Sequence, residues 1–252
     1  MTALRIEREA DVLRIAMARP ERRNAFDAAL IDELAAAFAG VGDARAVVLS
    51  GDGPSFSAGA DVEWMRSSVD LSYDENVADA LRLRAMLDAI DSCPAPVVGR
   101  VQGHALGGGC GLVACCDVVL AEPTAQFAFS EVKLGIVPAV ISPFALAKIG
   151  PGAARRYFVT GERFSATEAL RIGLIHDVTD DLHGAVERVV RELLTAGPLA
   201  ARAAKELARA PLSADETARA IAAHRTSPEG QEGLRAFLEK RPPAWHEKVS
   251  DT

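Results

Sequence analysis

The spacing of apolar residues predicts that the chain opens with two strands and a helix. Two short alternating runs, Leu4 to Glu7 and Val12 to Met17, are separated by Glu-Ala-Asp, which is typical of a β-hairpin. A run at helical spacing follows, with Asp27 as a suitable N-cap and Gly40 as a stop. The apolar residues of this predicted helix are Leu30, Ile31, Leu34, Ala37 and Phe38.

An order of strand, glycine-rich loop and helix then occurs twice. The short strand Ala46 to Leu49 runs into a glycine-punctuated loop from Ser50 to Asp61. Apolar residues at i, i+3, i+4 and i+7 next predict a helix that ends before Cys93-Pro-Ala-Pro96 and leads into strand Val97 to Val101. The residues on the apolar face of this helix are Leu83, Met86, Leu87 and Ile90.

The remainder of the chain is predicted to be mostly helical. Ile141 to Ile149 has helical character, and Ser165-Ala-Thr-Glu168 has the spacing of a capping box at the start of a helix that ends near Gly173. Another apolar stripe extends from Val186 to Leu194, and the sequence from Leu199 onward contains no strand-like run. We therefore predict a mixed α/β core over residues 1–196 and a helical C-terminal region over residues 197–252.

Composition limits the kinds of protein this chain can be. With 252 residues and 49% hydrophobic content, it can bury a large core as one domain or as one domain with a small appendage. The formal charge of −7, from 28 basic and 35 acidic residues, argues against a nucleic-acid or membrane-surface partner. The N-terminal segment lacks the basic stretch and apolar core of a secretion signal, and the sequence has no apolar run of roughly eighteen residues that could span a membrane. We therefore expect a cytoplasmic protein.

Several common kinds of site are disfavoured by spacing. The four cysteines match neither paired zinc-ligand spacing nor a disulfide framework, so we interpret them as buried thiols, and no histidine stands at metal-ligand spacing from another ligand type. We therefore predict no metal. Ser57 and Ser130 lack a histidine at triad spacing and a G-x-S-x-G motif, which disfavours nucleophilic hydrolysis.

The most distinctive chemistry lies between Val97 and Pro138. Four glycines precede a small-residue run, Leu112 to Cys116, that reads as a buried helix, and amides at its N-terminal end suit an anion or a developing oxyanion. Glu131 follows in Phe-Ala-Phe-Ser-Glu, where an apolar setting could raise the pKa of the carboxyl to suit an acid or base. The four glycines are Gly107, Gly108, Gly109 and Gly111.

Two other interpretations of these residues deserve weight. Gly109-x-Gly111-x-x-Ala114 matches a dinucleotide-binding fingerprint, but Val101 ends its strand eight residues before Gly109, and a dinucleotide unit needs the strand directly before the glycines. The glycines could also serve close helix packing alone, and Glu131 could be a helix-terminal charge.

Motifs spread along the whole chain resemble those of the crotonase (enoyl-CoA hydratase/isomerase) superfamily. Thr160-Gly-Glu-Arg-Phe-Ser-Ala, Arg171-Ile-Gly-Leu-Ile and the segment Gly233 to Arg241 also fall where that family has signatures. The principal motifs are Phe56-Ser-Ala-Gly-Ala-Asp61, His104-Ala-Leu-Gly-Gly-Gly-Cys-Gly111, Cys116-Asp117 and Ser130-Glu-Val-Lys-Leu-Gly-Ile-Val-Pro138.

The resemblance implies a spiral of ββα units whose helical C-terminal region builds homotrimers, often paired into hexamers. It also implies that the backbone amides of Ala60 and Gly108 hold the thioester carbonyl of an acyl-CoA, with Glu131 as the acid-base residue. Coenzyme A would be part of the substrate, and no separate cofactor is implied. The residues that the resemblance places near the substrate or its coenzyme A are Arg22, Arg23, Ala58, Asp61, Val62 and Gly111, with Phe237 and Lys240 reaching the coenzyme A of a neighbouring subunit.

One position departs from the family pattern. Two-carboxylate hydratases of the family carry glutamates at the positions of Gly111 and Glu131, so only one remains here. We expect the missing side chain to leave room for a water or for a branched or carboxylated substrate tail. The sequence around Gly111 and Glu131 is similar to that of a bacterial branch assigned as methylglutaconyl-CoA hydratases. Enoyl-CoA hydratase is therefore favoured, with Δ3,Δ2-enoyl-CoA isomerase and a non-catalytic acyl-CoA scaffold as alternatives.

Overall fold

Six strands form the main sheet, in the order β1-β2-β3-β4-β6-β9. The structure is a computed structural model that describes residues 3–209 and 211–246. Strands β1 and β2 pair antiparallel, and every other neighbouring pair of this sheet is parallel. The strands of the described residues are β1 (Leu4–Glu9), β2 (Val12–Met17), β3 (Ala46–Gly51), β4 (Val97–Val101), β5 (His104–Leu106), β6 (Val118–Ala121), β7 (Gln126–Ala128), β8 (Phe164–Ser165) and β9 (Asp177–Val178).

Helices account for most of the remaining described chain, and the final three have no strand between or after them. Cys93, Cys110, Cys115 and Cys116 are all free and buried, as predicted. The α-helices of the described residues are α1 (Ala28–Ala39), α2 (Val62–Ser68), α3 (Tyr73–Asp91), α4 (Gly108–Cys115), α5 (Ser142–Thr160), α6 (Ala166–Arg171), α7 (Leu182–Thr195), α8 (Pro198–Leu207), α9 (Ala214–Thr226) and α10 (Pro228–Glu239), and two 3₁₀ helices span Pro20–Arg22 and Glu131–Leu134.

The predicted start of the chain is confirmed. The hairpin pairs Leu4 with Met17, and helix α1 begins after Asp27, whose carboxylate accepts the Leu30 amide at 3.0 Å. The apolar face of α1 is buried in the main hydrophobic core. Apolar area removed from water in this way stabilises a fold by roughly 25 cal/mol per Å². The helix ends at Gly40, as the sequence indicated.

A second, three-stranded sheet was absent from the sequence-based prediction. Strand β5 pairs in parallel with β7, and β7 pairs antiparallel with β8. Each of these strands has two or three residues, which is too short to leave an alternating pattern. This small sheet matters for the site because Ser57, in the first glycine-rich loop, forms a parallel bridge with Ala105 of β5.

Two predicted helices are present but differ in detail from the prediction. At Ser165 only half of a capping box forms: the Ser165 hydroxyl accepts the Glu168 amide, while the Glu168 carboxylate binds Arg171 and Tyr157 instead. Helix α5 continues well beyond Ile149 to Thr160, but it is kinked at Gly150, whose φ of 67° and ψ of 167° are not helical. The carboxylate at Glu168 is better paired by a cation than by a backbone amide.

The helices after residue 197 attach to the core through polar contacts. Lys205 of α8 is buried and its Nζ lies 2.7 Å from the Asp117 carboxylate, which also accepts the Val97 amide. Arg45 donates to the Trp245 carbonyl at 3.0 Å and to the Ala196 carbonyl at 2.9 Å. The predicted region extends to residue 252, and its residues beyond 246 lie outside those described. Within the described residues, no helix is both long and apolar enough to cross a membrane.

Candidate active site

The two glycine-rich loops meet at one edge of the main sheet. Strands β3 and β4 are parallel neighbours, so the loops that follow them leave from the same edge. The Ser57 amide donates to the His104 carbonyl at 2.9 Å, and the Leu106 amide donates to the Ser57 carbonyl at 3.1 Å. At Gly59, where φ is +86°, an added Cβ would lie 2.5 Å from the Leu106 oxygen and 3.5 Å from the Gly108 nitrogen. The first loop therefore lies directly against the start of α4.

Two backbone amides are left available where these loops meet. Phe26 donates its amide to the Gly59 carbonyl at 2.8 Å, and its carbonyl accepts the Asp61 amide at 3.0 Å. These two hydrogen bonds form a parallel β-bridge opposite Ala60 and do not use the Ala60 amide. Gly108 is the first residue of α4, where a helix has no intrahelical partner for an amide. Neither the Ala60 nor the Gly108 amide donates to any described residue, and both residues line one cavity.

The glycines around these amides also have packing roles. Gly107 has φ +53° and ψ −122°, a conformation that residues with a Cβ rarely adopt. A Cβ on Gly108 would collide with the Phe26 ring, and one on Gly109 would lie 2.7 Å from the Ser57 oxygen. The same glycines therefore allow the two loops to pack closely and leave the backbone amides accessible.

The cavity next to these amides measures about 350 Å³. We call the part lined by the two loops its floor, the part lined by α2 and α3 its first wall, and the part lined by the segment after Glu131 its second wall. The lining residues are Trp64, Met65, Ser68, Asn76, Asp79, Ala80 and Leu83 in the first wall, and Leu134, Ile136, Val137, Pro138, Ala139, Val140 and Ile141 in the second.

Glu131 supplies a carboxylate to this cavity. It begins a short 3₁₀ helix, Glu131–Leu134, just after β7, and its Oε1 lies 3.4 Å from where a Cβ on Gly107 would stand. Its Oε2 is fully buried and has no hydrogen-bond partner among the described residues. Burial raises the pKa of the Glu131 carboxyl, against a smaller opposing effect of its own amide. An unpaired carboxylate of raised pKa suits proton transfer.

The space expected beside Gly111 is already filled. A Cβ on Gly111 would lie 2.5 Å from Cγ2 of Ile141 and 3.6 Å from Cδ2 of Leu87, and Gly111 does not line the cavity. The prediction of room there for a water or a substrate tail is therefore wrong. The cause is a side chain thirty residues later in the sequence, which no local pattern around Gly111 could indicate.

Asp61 and Arg22 are brought together, but beside the cavity and not in its lining. The Asp61 carboxylate caps α2 by accepting the Glu63 amide at 2.9 Å, and it binds Arg22 at 2.9 Å. Burial acts to raise the pKa of Asp61, but the hydrogen bonds from Arg22 and the Glu63 amide outweigh it and lower that pKa. This pair holds the polypeptide that follows Ala60.

The other residues suggested by the resemblance lie at different places. Ala58 lines the cavity and donates its amide to the carbonyl of Arg23, whose side chain is exposed. Val62 is 63% exposed and does not line the cavity. Phe237, which is 81% exposed, and Lys240 lie at the end of α10 and do not line the cavity of their own chain.

Sequence reasoning missed the wall made by α2 and α3. Ser72 and Glu75 form a full capping box at the start of α3, and this spacing is visible in the sequence. It would have marked a helix start at Tyr73, ten residues before Leu83, the first residue of the apolar face that was recognised. The side chains of this wall that line the cavity could not be identified from the sequence, because that depends on the packing of α3 against α1.

Comparison of this chain with protein families and comparison with known proteins both point to the same family. Residues 7–248 match the enoyl-CoA hydratase/isomerase family. A crotonyl-CoA hydratase of Syntrophomonas wolfei is 33% identical over 249 residues, covering 94% of this chain and 95% of that protein.

Solved structures of related proteins superpose over nearly the whole chain. An enoyl-CoA hydratase of Shewanella pealeana has a TM-score of 0.92 and 39% identity, with 96% of each chain covered. The protein AtuE of Pseudomonas aeruginosa has a TM-score of 0.93 and 37% identity, with 97% of this chain and 99% of that chain covered.

Proposed function

Because the chain belongs to the enoyl-CoA hydratase/isomerase family, we propose that it adds water to the double bond of an α,β-unsaturated acyl-CoA. The predicted crotonase-like mixed α/β fold is confirmed by the superpositions. The observation that carries the proposal is one cavity in which the available amides of Ala60 and Gly108 face the same space as the Glu131 carboxylate.

The two amides are proposed to hold the thioester oxygen. As water adds to C3, negative charge moves through C2 onto this oxygen and an enolate forms. Two preorganised N–H donors, one of them at the positive end of a helix, stabilise that charge more than the neutral carbonyl. The donors at Ala60 and Gly108 are backbone N–H groups, so the side chains take no part in the contact. Small residues are suitable there because a large side chain would block the oxygen from reaching the amides.

Glu131 is proposed to make both proton transfers. Its ionised carboxylate takes one proton from the water as the water oxygen bonds to C3. The resulting carboxylic acid then gives a proton to C2 of the enolate, which restores the carboxylate and completes the addition of one water. The raised pKa of Glu131 favours this cycle, since a group of moderate pKa both accepts and returns a proton near neutral pH.

Coenzyme A is proposed to bind as part of the substrate, outside the acyl cavity. Ala58 lines the cavity and donates its amide to the Arg23 carbonyl, and Arg22 and Arg23 are exposed residues of that turn. Phe237 and Lys240 of a neighbouring subunit would complete the coenzyme A site in a homotrimer or a dimer of trimers. The protein as a whole, with a net charge of −7, would repel the anionic coenzyme A. The positive charges of Arg22, Arg23 and Lys240 would offset this repulsion locally.

The finer proposal is 3-methylglutaconyl-CoA as substrate, which rests on the resemblance of sequence. Its tail carboxylate would lie near the α2 and α3 wall, where Asp79 repels it and the described lining contains no lysine or arginine. The Asn76 amide nitrogen is already bonded to the carbonyls of Leu71 and Ser72. The Trp64 indole N–H donates to no described residue, so we propose it as the donor for a polar tail.

Isomerisation of a 3-enoyl-CoA is the second candidate. It is favoured by one observation: Ile141 fills the position of a second carboxylate, and moving a proton between C2 and C4 needs only one base.

Mass spectrometry of products distinguishes these reactions. The protein is incubated with crotonyl-CoA, 3-methylglutaconyl-CoA or a 3-enoyl-CoA in ordinary and ¹⁸O-labelled water. Hydration predicts a product heavier by one water that carries the label. Conversion of the 3-enoyl-CoA alone, without a change of mass, would replace hydratase by isomerase. Binding of acyl-CoA with no reaction on any substrate would indicate a scaffold.

A further inference from the structure

The hydroxyl of Ser130 is an unused polar group in the cavity. Ser130 lines the cavity together with Glu131 and directly precedes it in the chain. It occupies the N-cap position of the short 3₁₀ helix, yet its side chain makes no capping hydrogen bond and donates to no described residue. A serine kept for local structure would be expected to cap this turn, since capping is what favours serine at such a position.

Ser130 and Glu131 approach the same point in space. The Ser130 Oγ lies 3.6 Å, and the Glu131 Oε1 3.4 Å, from the place where a Cβ on Gly107 would stand. That position is at bonding distance from the Gly107 Cα and cannot itself hold a water, but it shows that both oxygens lie on the same side of Gly107, and all three residues line the cavity. A water in the cavity beside Gly107 would therefore have a hydroxyl and a carboxylate as neighbours.

The proposed hydration leaves one hydrogen of the water without a partner. A water that donates one hydrogen to Glu131 can still rotate about that hydrogen bond, and a second fixed contact is needed to aim its lone pair at C3. The resemblance implies a second carboxylate at the position of Gly111 in two-carboxylate hydratases, but here Gly111 has no side chain and Ile141 fills the space beside it.

We propose that Ser130 is the positioning residue for the attacking water. Its Oγ accepts the hydrogen that Glu131 does not take, and its own hydroxyl hydrogen points away from the water. The water oxygen then bonds to C3, one water proton passes to Glu131 and returns to C2, and the other stays on the new hydroxyl group. Ser130 neither gains nor loses a proton in this sequence. This inference rests on the proposed hydratase function.

The test compares three substitutions in the full-length protein: Ser130→Ala, Ser130→Thr and, as the control, Ser92→Ala. Ser92 is an exposed serine at the end of α3, outside the cavity lining, and its hydroxyl donates to the Asp88 carbonyl. Hydration of crotonyl-CoA, the Kd of unreactive butyryl-CoA and the thermal midpoint are measured for each. Loss of one hydrogen bond made during the reaction predicts a fall in kcat of about tenfold for Ser130→Ala, with KM, Kd and Tm unchanged.

Ser130→Thr keeps the hydroxyl and is expected to recover most of the rate, whereas Ser92→Ala leaves kcat at its original value. If kcat of Ser130→Ala falls by less than about twofold, the fall is much smaller than the loss of a hydrogen bond gives, and the proposed role of Ser130 is overturned. Equal losses in the alanine and threonine variants, accompanied by weaker butyryl-CoA binding or a lower Tm, would also overturn it in favour of a structural role. If the unmodified protein hydrates none of the substrates, the failure lies with the proposed function itself.

Discussion

Ile141 occupies the space beside Gly111 so closely that a methyl group on Gly111 would lie 2.5 Å from its Cγ2. Ile141 is only 2% exposed, belongs to the main core and also lines the cavity beside Glu131. The residue that fills the space beside Gly111 therefore also shapes the proposed substrate site. The two positions should be energetically coupled, because neither can change without the other adjusting.

This coupling can be measured by urea unfolding. Gly111→Ala is expected to lower the free energy of unfolding by about 1–3 kcal/mol, the usual cost of overpacking. In Gly111→Ala with Ile141→Ala, the second substitution removes Cγ2 and so relieves most of the clash, and the double variant should be more stable than the sum of the single effects predicts. Strictly additive effects would mean that the backbone moves away and that Ile141 does not block the position.

Replacing the proposed acid-base residue should remove turnover and leave binding intact. Glu131→Gln keeps the volume but cannot accept a proton at neutral pH, so kcat is expected to fall at least about hundredfold with an unchanged Kd for butyryl-CoA. Glu192→Gln, on the exposed face of α7, serves as the matched control and should retain full activity. More than about a tenth of the original kcat in Glu131→Gln would exclude Glu131 as the acid-base residue.

The pKa of Glu131 also predicts two effects of pH. Burial raises that pKa above the ordinary glutamate value, so kcat/KM for hydration should fall on acidification, beginning at a higher pH than an exposed glutamate would give. The folded-state pKa exceeds the unfolded one, so Glu131 destabilises the fold increasingly as the pH rises toward the folded-state value. Glu131→Gln should therefore be the more stable protein at neutral pH, and this advantage should vanish below the ordinary glutamate pKa. Equal unfolding free energies at both pH values would contradict the raised pKa.

The proposed role of Trp64 concerns substrate choice alone. Trp64→Phe removes the indole N–H and keeps an aromatic ring near Phe26, whose centroid lies 6.4 Å from that of Trp64. We expect kcat/KM for 3-methylglutaconyl-CoA to fall about tenfold, as for the loss of one hydrogen bond to a charged group, with little change for crotonyl-CoA. Parallel losses on both substrates would assign Trp64 to packing.

Self-association is predicted from the exposed apolar residues of α10. Leu234, Phe237 and Leu238 are exposed on one face, a pattern that is typical of a subunit interface. Size-exclusion chromatography with light scattering should give the mass of three or six chains, and Phe237→Asp should reduce it. Ile6→Asp, at an exposed apolar residue of β1, should leave the mass unchanged. A monomer at micromolar concentration would refute the prediction.

The sequence predicted those parts of the fold that depend on neighbouring residues. Asp27 and Gly40 marked both ends of α1 because capping is decided within one turn. The glycines and Glu131 were recognisable as candidate chemistry from their immediate surroundings. What escaped prediction depends on contacts between distant segments: the bridge between Ser57 and Ala105, the α2 and α3 wall, and the filling of Gly111 by Ile141.

The division of the cavity into a glycine-loop floor and a helical wall has a consequence for how its substrate range could change. The amides of Ala60 and Gly108 belong to tightly packed backbone, whereas Trp64, Asn76 and Asp79 project from helices that lie nearer the surface. Substitutions in α2 and α3 can therefore alter the acyl groups accepted without disturbing the atoms that carry out the reaction. For directed evolution toward new thioesters, a library confined to this wall would sample specificity while the inherited chemistry stays in place.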